Sequence, residues 1–177
     1  DAMLVSDLNN VRYLSGFTGS NAAVLVFADG RTPVLATDGR YRTQAAVQAP
    51  EFDLVIQRNC GKALIQRAAG AGVRRLGYEG QTLTVDVFAE LQAVAEDTGS
   101  VTLVAASNQV EALREIKDRG EVELLRKACA VADAALTDMI ESGGLRPGRQ
   151  DPEQHGAVRD RGGPVRGQGH RRARGRA

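Results

Sequence analysis

The sequence predicts an α/β fold: a mixed β-sheet flanked by helices, followed by a long helix and a disordered Arg/Gly-rich tail. Three observations lead there. Two apolar, β-prone runs, Ala22 to Phe27 and Val34 to Ala36, flank Asp29-Gly30. Asp-Gly between such runs is a strong hairpin signal, because Gly accepts the positive φ that the turn demands. Around this antiparallel pair, strand-like and helix-like segments alternate, as in a sheet with helices packed on it. From Val110 onward the apolar spacing becomes that of helix alone.

Taken in order, Ala2 to Val5 suits a first strand and the Asn-rich stretch Asp7 to Tyr13 a turn or short helix. A Gly/Ser/Thr-rich loop (Gly16, Thr18, Gly19, Ser20) precedes the hairpin, and the polar cluster Thr37-Asp38-Gly39-Arg40-Tyr41 follows it. Arg40 to Val47 is helix-compatible and closed by Pro50. Phe52 to Ile56 reads as a strand, Gly61 to Ala69 as a helix ending at Gly70 and Gly72, and Arg75 to Tyr78 as a strand before a Glu79-Gly80 turn. Thr84 is a good N-cap for a helix whose stripe is Val87, Phe88, Leu91 and Val94, ending near Gly99. Val101 to Ala105 is a further strand and Val110 to Ile116 a helix.

Asp118-Arg119-Gly120-Glu121 has the form of a capping box, with the capping Asp followed three residues later by Glu. Behind it Val122, Leu125, Cys129, Ala132, Leu136 and Met139 line one helical face until Gly143-Gly144 and Pro147. Such a stripe is ordinarily core, yet little that could bury it follows. From Arg146 the larger apolar residues are only Val158 and Val165, so this segment is expected to be disordered.

A length of 177 residues, 42% hydrophobic and 25% charged, fits one globular domain, or one with a fragment of another. No apolar run approaches the ~18 residues of a membrane span. No secretory leader is visible, and the start on Asp1 rather than Met leaves the true N-terminus open. Cys60 and Cys129 lie far apart, without C-x-x-C spacing or a nearby His. That argues against a disulfide framework or a zinc site, and fits a cytoplasmic location.

Charge is unevenly spread. The chain carries +1 overall, yet nine Arg against three acids from Arg146 make the tail strongly basic and the body mildly acidic. An Arg/Gly-rich tail can neutralise phosphates. Here no aromatics interleave for base stacking and no nucleic-acid-binding fold precedes it, so a nucleic-acid partner is not expected. The abrupt change of composition favours an out-of-frame or otherwise aberrant end over a genuine basic tail.

No self-sufficient active site is legible in the body. The two histidines, His155 and His170, both fall in the tail, which excludes a His-based triad or a His-containing metal site before it. H-E-x-x-H, P-loop and G-x-G-x-x-G patterns do not occur in a strand–helix context. The loops offer recognition chemistry instead. Asp38, Arg40 and Tyr41 place an acceptor, a forked donor and a phenol at one strand-to-helix junction, suited to a carboxylate or peptide terminus. The structural alternative is that Asp38 caps the next helix and Tyr41 packs. Phe17, between Gly16 and Gly19, is either presented on its loop or anchors that loop to the core.

Several motifs, in order, resemble the N-terminal domain of the creatinase/prolidase/aminopeptidase P (pita-bread metallopeptidase) family. They are N-x-x-Y-L-S-G-F-x-G-S from Asn10, T-D-G-R-Y-x-x-Q-A from Thr37, L-G-Y-E from Leu76, and the Val110 to Asp118 junction with Glu121, Leu125, Arg126 and Ala128 to Ala132. Each is weak alone; the ordered set, over residues 3 to about 148, is specific. The resemblance implies a domain over 1–108 and a junction and first catalytic-domain helix over 109–148; beyond it, composition marks 149–177 as a disordered or aberrant tail. In such proteins the domain does no chemistry. It shapes the substrate cleft and dimer or tetramer contacts of an Xaa-Pro dipeptidase or aminopeptidase. There two Mn, Co or Zn ions, held by two Asp, one His and two Glu, activate the attacking hydroxide on a peptide substrate. Phe17, Asp38, Arg40 and Tyr41 are the positions it marks as cleft or interface residues. Because the resemblance stops before those five ligands, the chain is expected to carry no metal cofactor and to be inactive alone. The alternatives are a stand-alone binding module using the same loops, or nucleic-acid association through the tail.

Overall fold

The computed structural model describes residues 1–142. The chain divides into two units, Asp1–Val122 and a second beginning at Glu123. The first unit is built on one six-stranded sheet of β1 (Ala2–Val5), β2 (Ala22–Phe27), β3 (Val34–Thr37), β4 (Asp53–Ile56), β5 (Arg75–Tyr78) and β6 (Thr102–Ala105), in the order β4-β3-β2-β1-β5-β6. The pairs β1–β2 and β2–β3 are antiparallel, while β3–β4, β1–β5 and β5–β6 are parallel. Parallel neighbours need a crossover segment. Helices α2 (Arg42–Gln48) and α4 (Val85–Thr98) supply two of them, and α3 (Cys60–Gly70) carries the chain from β4 back to β5. Helices α1 (Leu8–Ser15) and α5 (Gln109–Glu115) complete the unit.

Both faces of the sheet are covered, which explains why Ala22 to Phe27 is apolar throughout rather than alternating. With a side-chain period of two, Ala23, Leu25 and Phe27 join Leu4, Leu64, Ile65 and Leu91 on the α3/α4 side. Ala22 and Val24 join Val5, Val11, Leu35 and Ala45 on the α1/α2 side.

Local chemistry sets the ends of these elements. Asp7 caps α1 by accepting the N–H groups of Asn9 and Asn10, and Gly16, at φ 71, ends it in the left-handed region. The hairpin forms in register Ala22↔Thr37 to Leu25↔Val34. Its turn sits one residue earlier than Asp29-Gly30 as a central pair suggests, because Gly30, at φ 80, donates its N–H to the carbonyl of Phe27. Thr84 accepts the Val87 N–H and caps α4 as expected. The buried positions of that helix are Leu91 and Ala95, whereas Val87 is 43% exposed. The small Ala95 is invisible to a pattern built on large apolar residues.

Helix α6 (Arg119–Glu141) opens with the expected capping box. The Glu121 N–H donates to Asp118 Oδ1 at 2.8 Å, and the Asp118 N–H donates to Glu121 Oε2 at 2.9 Å. No residue of α6 is buried, and Leu125, Leu136 and Met139 of its stripe are about half exposed. The stop at Gly143-Gly144 and the Arg/Gly-rich tail lie outside the described residues.

Candidate functional site

The two polar loops meet because of strand pairing. Ala22 opens β2 and Thr37 closes its antiparallel neighbour β3, and these two residues are partners. The loop before β2 and the loop after β3 therefore emerge side by side. Thr37 is also paired with Ile56, the last residue of parallel β4, which brings Gln57 and Arg58 to the same rim. A concave surface lies there, lined by Ser20, Asn21, Asp38, Arg40, Gln57 and Arg58 among others. The carboxyl ends of strands in open α/β sheets are where ligand crevices form.

Asp38 is the hub of the rim. It is buried to 7% exposure and accepts four hydrogen bonds. The Arg40 backbone N–H (3.0 Å) and Nε (2.9 Å) reach Oδ1, and Arg40 Nη2 (2.8 Å) and Asn21 Nδ2 (2.9 Å) reach Oδ2. It thereby caps the 3₁₀ turn Gly39–Tyr41 that leads into α2. The Arg40 guanidinium and the Asn21 amide hold its carboxyl well below the usual carboxylate range. The same fork raises the pKa of Arg40. Arg40 thus spends one edge on Asp38, while its side chain stays 69% exposed. Its guanidinium carbon lies 5.1 Å from the centroid of the Tyr41 ring.

Tyr41 joins the two loops. Its hydroxyl and Ser20 Oγ share a hydrogen bond of 2.7 Å, which lowers the phenol's pKa. Beneath it lies the Phe17 ring, edge-on at 5.7 Å and 86°. Phe17 is 1% exposed and packs among Val5, Val11, Val24 and Leu35. Of its two readings, the structure shows the anchor: the ring ties the loop to the core. For Asp38 the capping role is observed together with the ion pair, so one carboxylate serves both.

Chemically this surface offers a forked cation, a phenol and hydroxyl and amide groups, all suited to recognition. Among the described residues there is no His, and Cys60, on the inner side of Asn21, has its thiol pushed up to about 11 by burial. No group of three or more His, Cys, Asp or Glu that could hold a metal occurs among the described residues. The donor set therefore does not fit a metal centre, and no catalytic step through one follows from these residues.

Sequence reasoning missed a second polar cluster. Asn10, fully buried on α1, bridges Glu79 after β5 and Glu111 on α5, with Arg114 on its amide oxygen. Its members lie far apart in the chain, and although each falls within one of the motifs quoted above, nothing local says that they meet.

Residues 1–116 match the Creatinase/Prolidase N-terminal domain family. The chain is 36% identical over 152 residues to the "Uncharacterized peptidase YqhT" of Bacillus subtilis (strain 168), covering 84% of this chain and 40% of that one. Among solved structures, the N-terminal domain of cytoplasmic peptidase PepQ from Mycobacterium tuberculosis H37Rv is 57% identical, with a TM-score of 0.62 over 64% of this chain and 86% of that one. An Xaa-Pro dipeptidase from Bacillus anthracis is 28% identical, with a TM-score of 0.71 over 84% of this chain and 40% of that one. The chain thus spans about two fifths of the length of the peptidases it matches. Among the described residues no helix is long and apolar enough to cross a membrane. On its matched residues, its six-stranded mixed sheet and its order of motifs, the chain belongs to the creatinase/prolidase N-terminal domain family.

Proposed function

We propose that the chain is the non-catalytic N-terminal part of an Xaa-Pro dipeptidase- or aminopeptidase-like metallopeptidase. The proposal divides it into a domain over 1–108, a junction and first helix of the catalytic region over 109–148, and a tail over 149–177. The setting is cytoplasmic, and the complete protein is a dimer or tetramer acting on peptides with two divalent ions held outside this chain. The rim of Asp38, Arg40 and Tyr41, stiffened from beneath by Phe17, shapes the substrate cleft or a subunit contact.

The observation that supports this reading most is the rim itself: an exposed guanidinium forked onto a buried carboxylate at the end of the sheet. A planar cation fixed in that way suits a peptide carboxylate. Reading all three frames of the locus past the codon for Pro147 tests the identity. Two Asp, one His and two Glu in one frame are expected, and their absence from every frame overturns the peptidase reading. In the protein that such a frame encodes, Arg40→Ala is expected to lower kcat/KM for an Xaa-Pro peptide about tenfold. Unchanged kinetics and an unchanged oligomer would remove the rim from both roles.

A further inference from the structure

Helix α5 is weakly held by ordinary means. It begins at Asn108, whose backbone is left-handed at φ 62 and whose side chain makes no cap. Val110 is its one buried residue, and Leu113 within it and Ile116 just past it are 59% and 82% exposed. A single apolar anchor is little attachment for a helix of seven residues.

Polar bonds add to this attachment, two of them made by Asn10 to residues of α5. Asn10 Nδ2 donates to Glu79 Oε1 and to Glu111 Oε1, at 2.6 Å each, and Asn10 Oδ1 accepts from Arg114 Nη1 at 2.9 Å. Gln81 Nε2 adds a bond to the same Glu111 oxygen at 3.1 Å. Glu79 is pinned, since its other oxygen accepts the backbone N–H groups of Ser6 (2.6 Å) and Asp7 (2.8 Å) where β1 runs into α1.

A carboxamide suits this junction as few side chains can. Its NH₂ has one donor for each carboxylate, and its oxygen serves the guanidinium. A carboxylate at position 10 would gather three anions, and an apolar group would remove the donor that Glu79 and Glu111 share, leaving Gln81 alone on Glu111 Oε1. The docked state also carries a standing penalty, because Glu111 Oε2 is buried without a partner.

We infer that Asn10 is a latch: it holds α5 docked on α1, and breaking its link to Glu111 releases α5 as a unit while the sheet stays folded. Segments with few apolar contacts are where proteins open locally. The inference is independent of the peptidase reading, since it concerns only how this unit holds its last short helix.

Amide hydrogen exchange on the full chain tests it. In Glu111→Ala, the amides of Ala112 to Glu115 are expected to exchange at least tenfold faster, with those of β1 to β3 unchanged. Ala is the better helix former, so intrinsic propensity opposes that loss. Glu115→Ala, on the exposed side of the same helix, is expected to leave the exchange unaltered. Unaltered α5 protection in Glu111→Ala, or equal acceleration of α5 and the sheet, overturns the latch. Asn10→Ala is expected to release α5 in the same way, and adding Glu111→Gln to it to restore part of the protection by removing one of the two carboxylate charges. Failure of that rescue in a folded double variant also overturns it. Should Asn10→Ala not fold, the Glu111→Ala comparison decides alone.

Discussion

Gly19 has no room for a side chain. A Cβ there would collide with Cζ of Phe17 and lie 2.6 Å from its Cε1 and 3.1 Å from Tyr41 Cδ1. The Phe17 ring is enclosed by core and cannot retreat. Gly19→Ala should therefore cost about 1–3 kcal/mol, as overpacking does, read as a lower urea midpoint; an unchanged midpoint would mean the ring yields. Asp38 makes a second prediction. Its folded pKa lies below the ordinary 3.8, so the stability it contributes is present above 3.8 and lost as pH falls through its lower folded value. Its carboxyl carbon shift in NMR should still report the ionised form at pH 3.8. Half-titration there would show that the Arg40 fork is not formed in solution. The capping role of Asp38 was legible because a cap acts on the next two residues. The place of Phe17 was not, because an aromatic between glycines reads alike whether it points inward or out.

Elements were legible wherever a local chemical device defines them. The capping box of α6 is one: Asp118 and Glu121 sit three residues apart and satisfy each other's backbone N–H groups. Asp118→Ala should cost α6 about 0.5–2 kcal/mol, seen as faster amide exchange confined to its first turn. If that turn is unaffected, the box is not what starts the helix. The hairpin was legible from Asp29-Gly30, although its turn closes at Phe27–Gly30 instead. Strand order was a different matter. Nothing near β1 states that β5, more than 70 residues on, will lie beside it. The Asn10 cluster was hidden for the same reason, its carboxylates lying 69 and 101 residues away. Pairings made by topology leave no local trace.

Across the whole molecule, apolar side chains fall into two energetic classes. Leu64 is fully buried between α3 and the sheet, so Leu64→Ala should cost about 2–5 kcal/mol through lost transfer energy and the cavity left behind. Leu136, half exposed on α6, should cost less than about 0.5 kcal/mol on the same change. Urea unfolding of both variants checks this, and comparable losses would mean that Leu136 is buried in solution. The position of β1, between antiparallel β2 and parallel β5, has a consequence for biosynthesis. On the ribosome the chain appears in the order of translation. The block β4-β3-β2-β1 is complete once Ile56 has emerged, but the other side of β1 waits for Arg75 to Tyr78. Between those two moments a nascent chain presents an open strand edge in what will become the middle of the sheet. That edge is four residues long, short enough to limit mispairing with neighbouring nascent chains. Emergence of the α3 segment from the ribosome is therefore the interval in which this domain most needs speed or a chaperone.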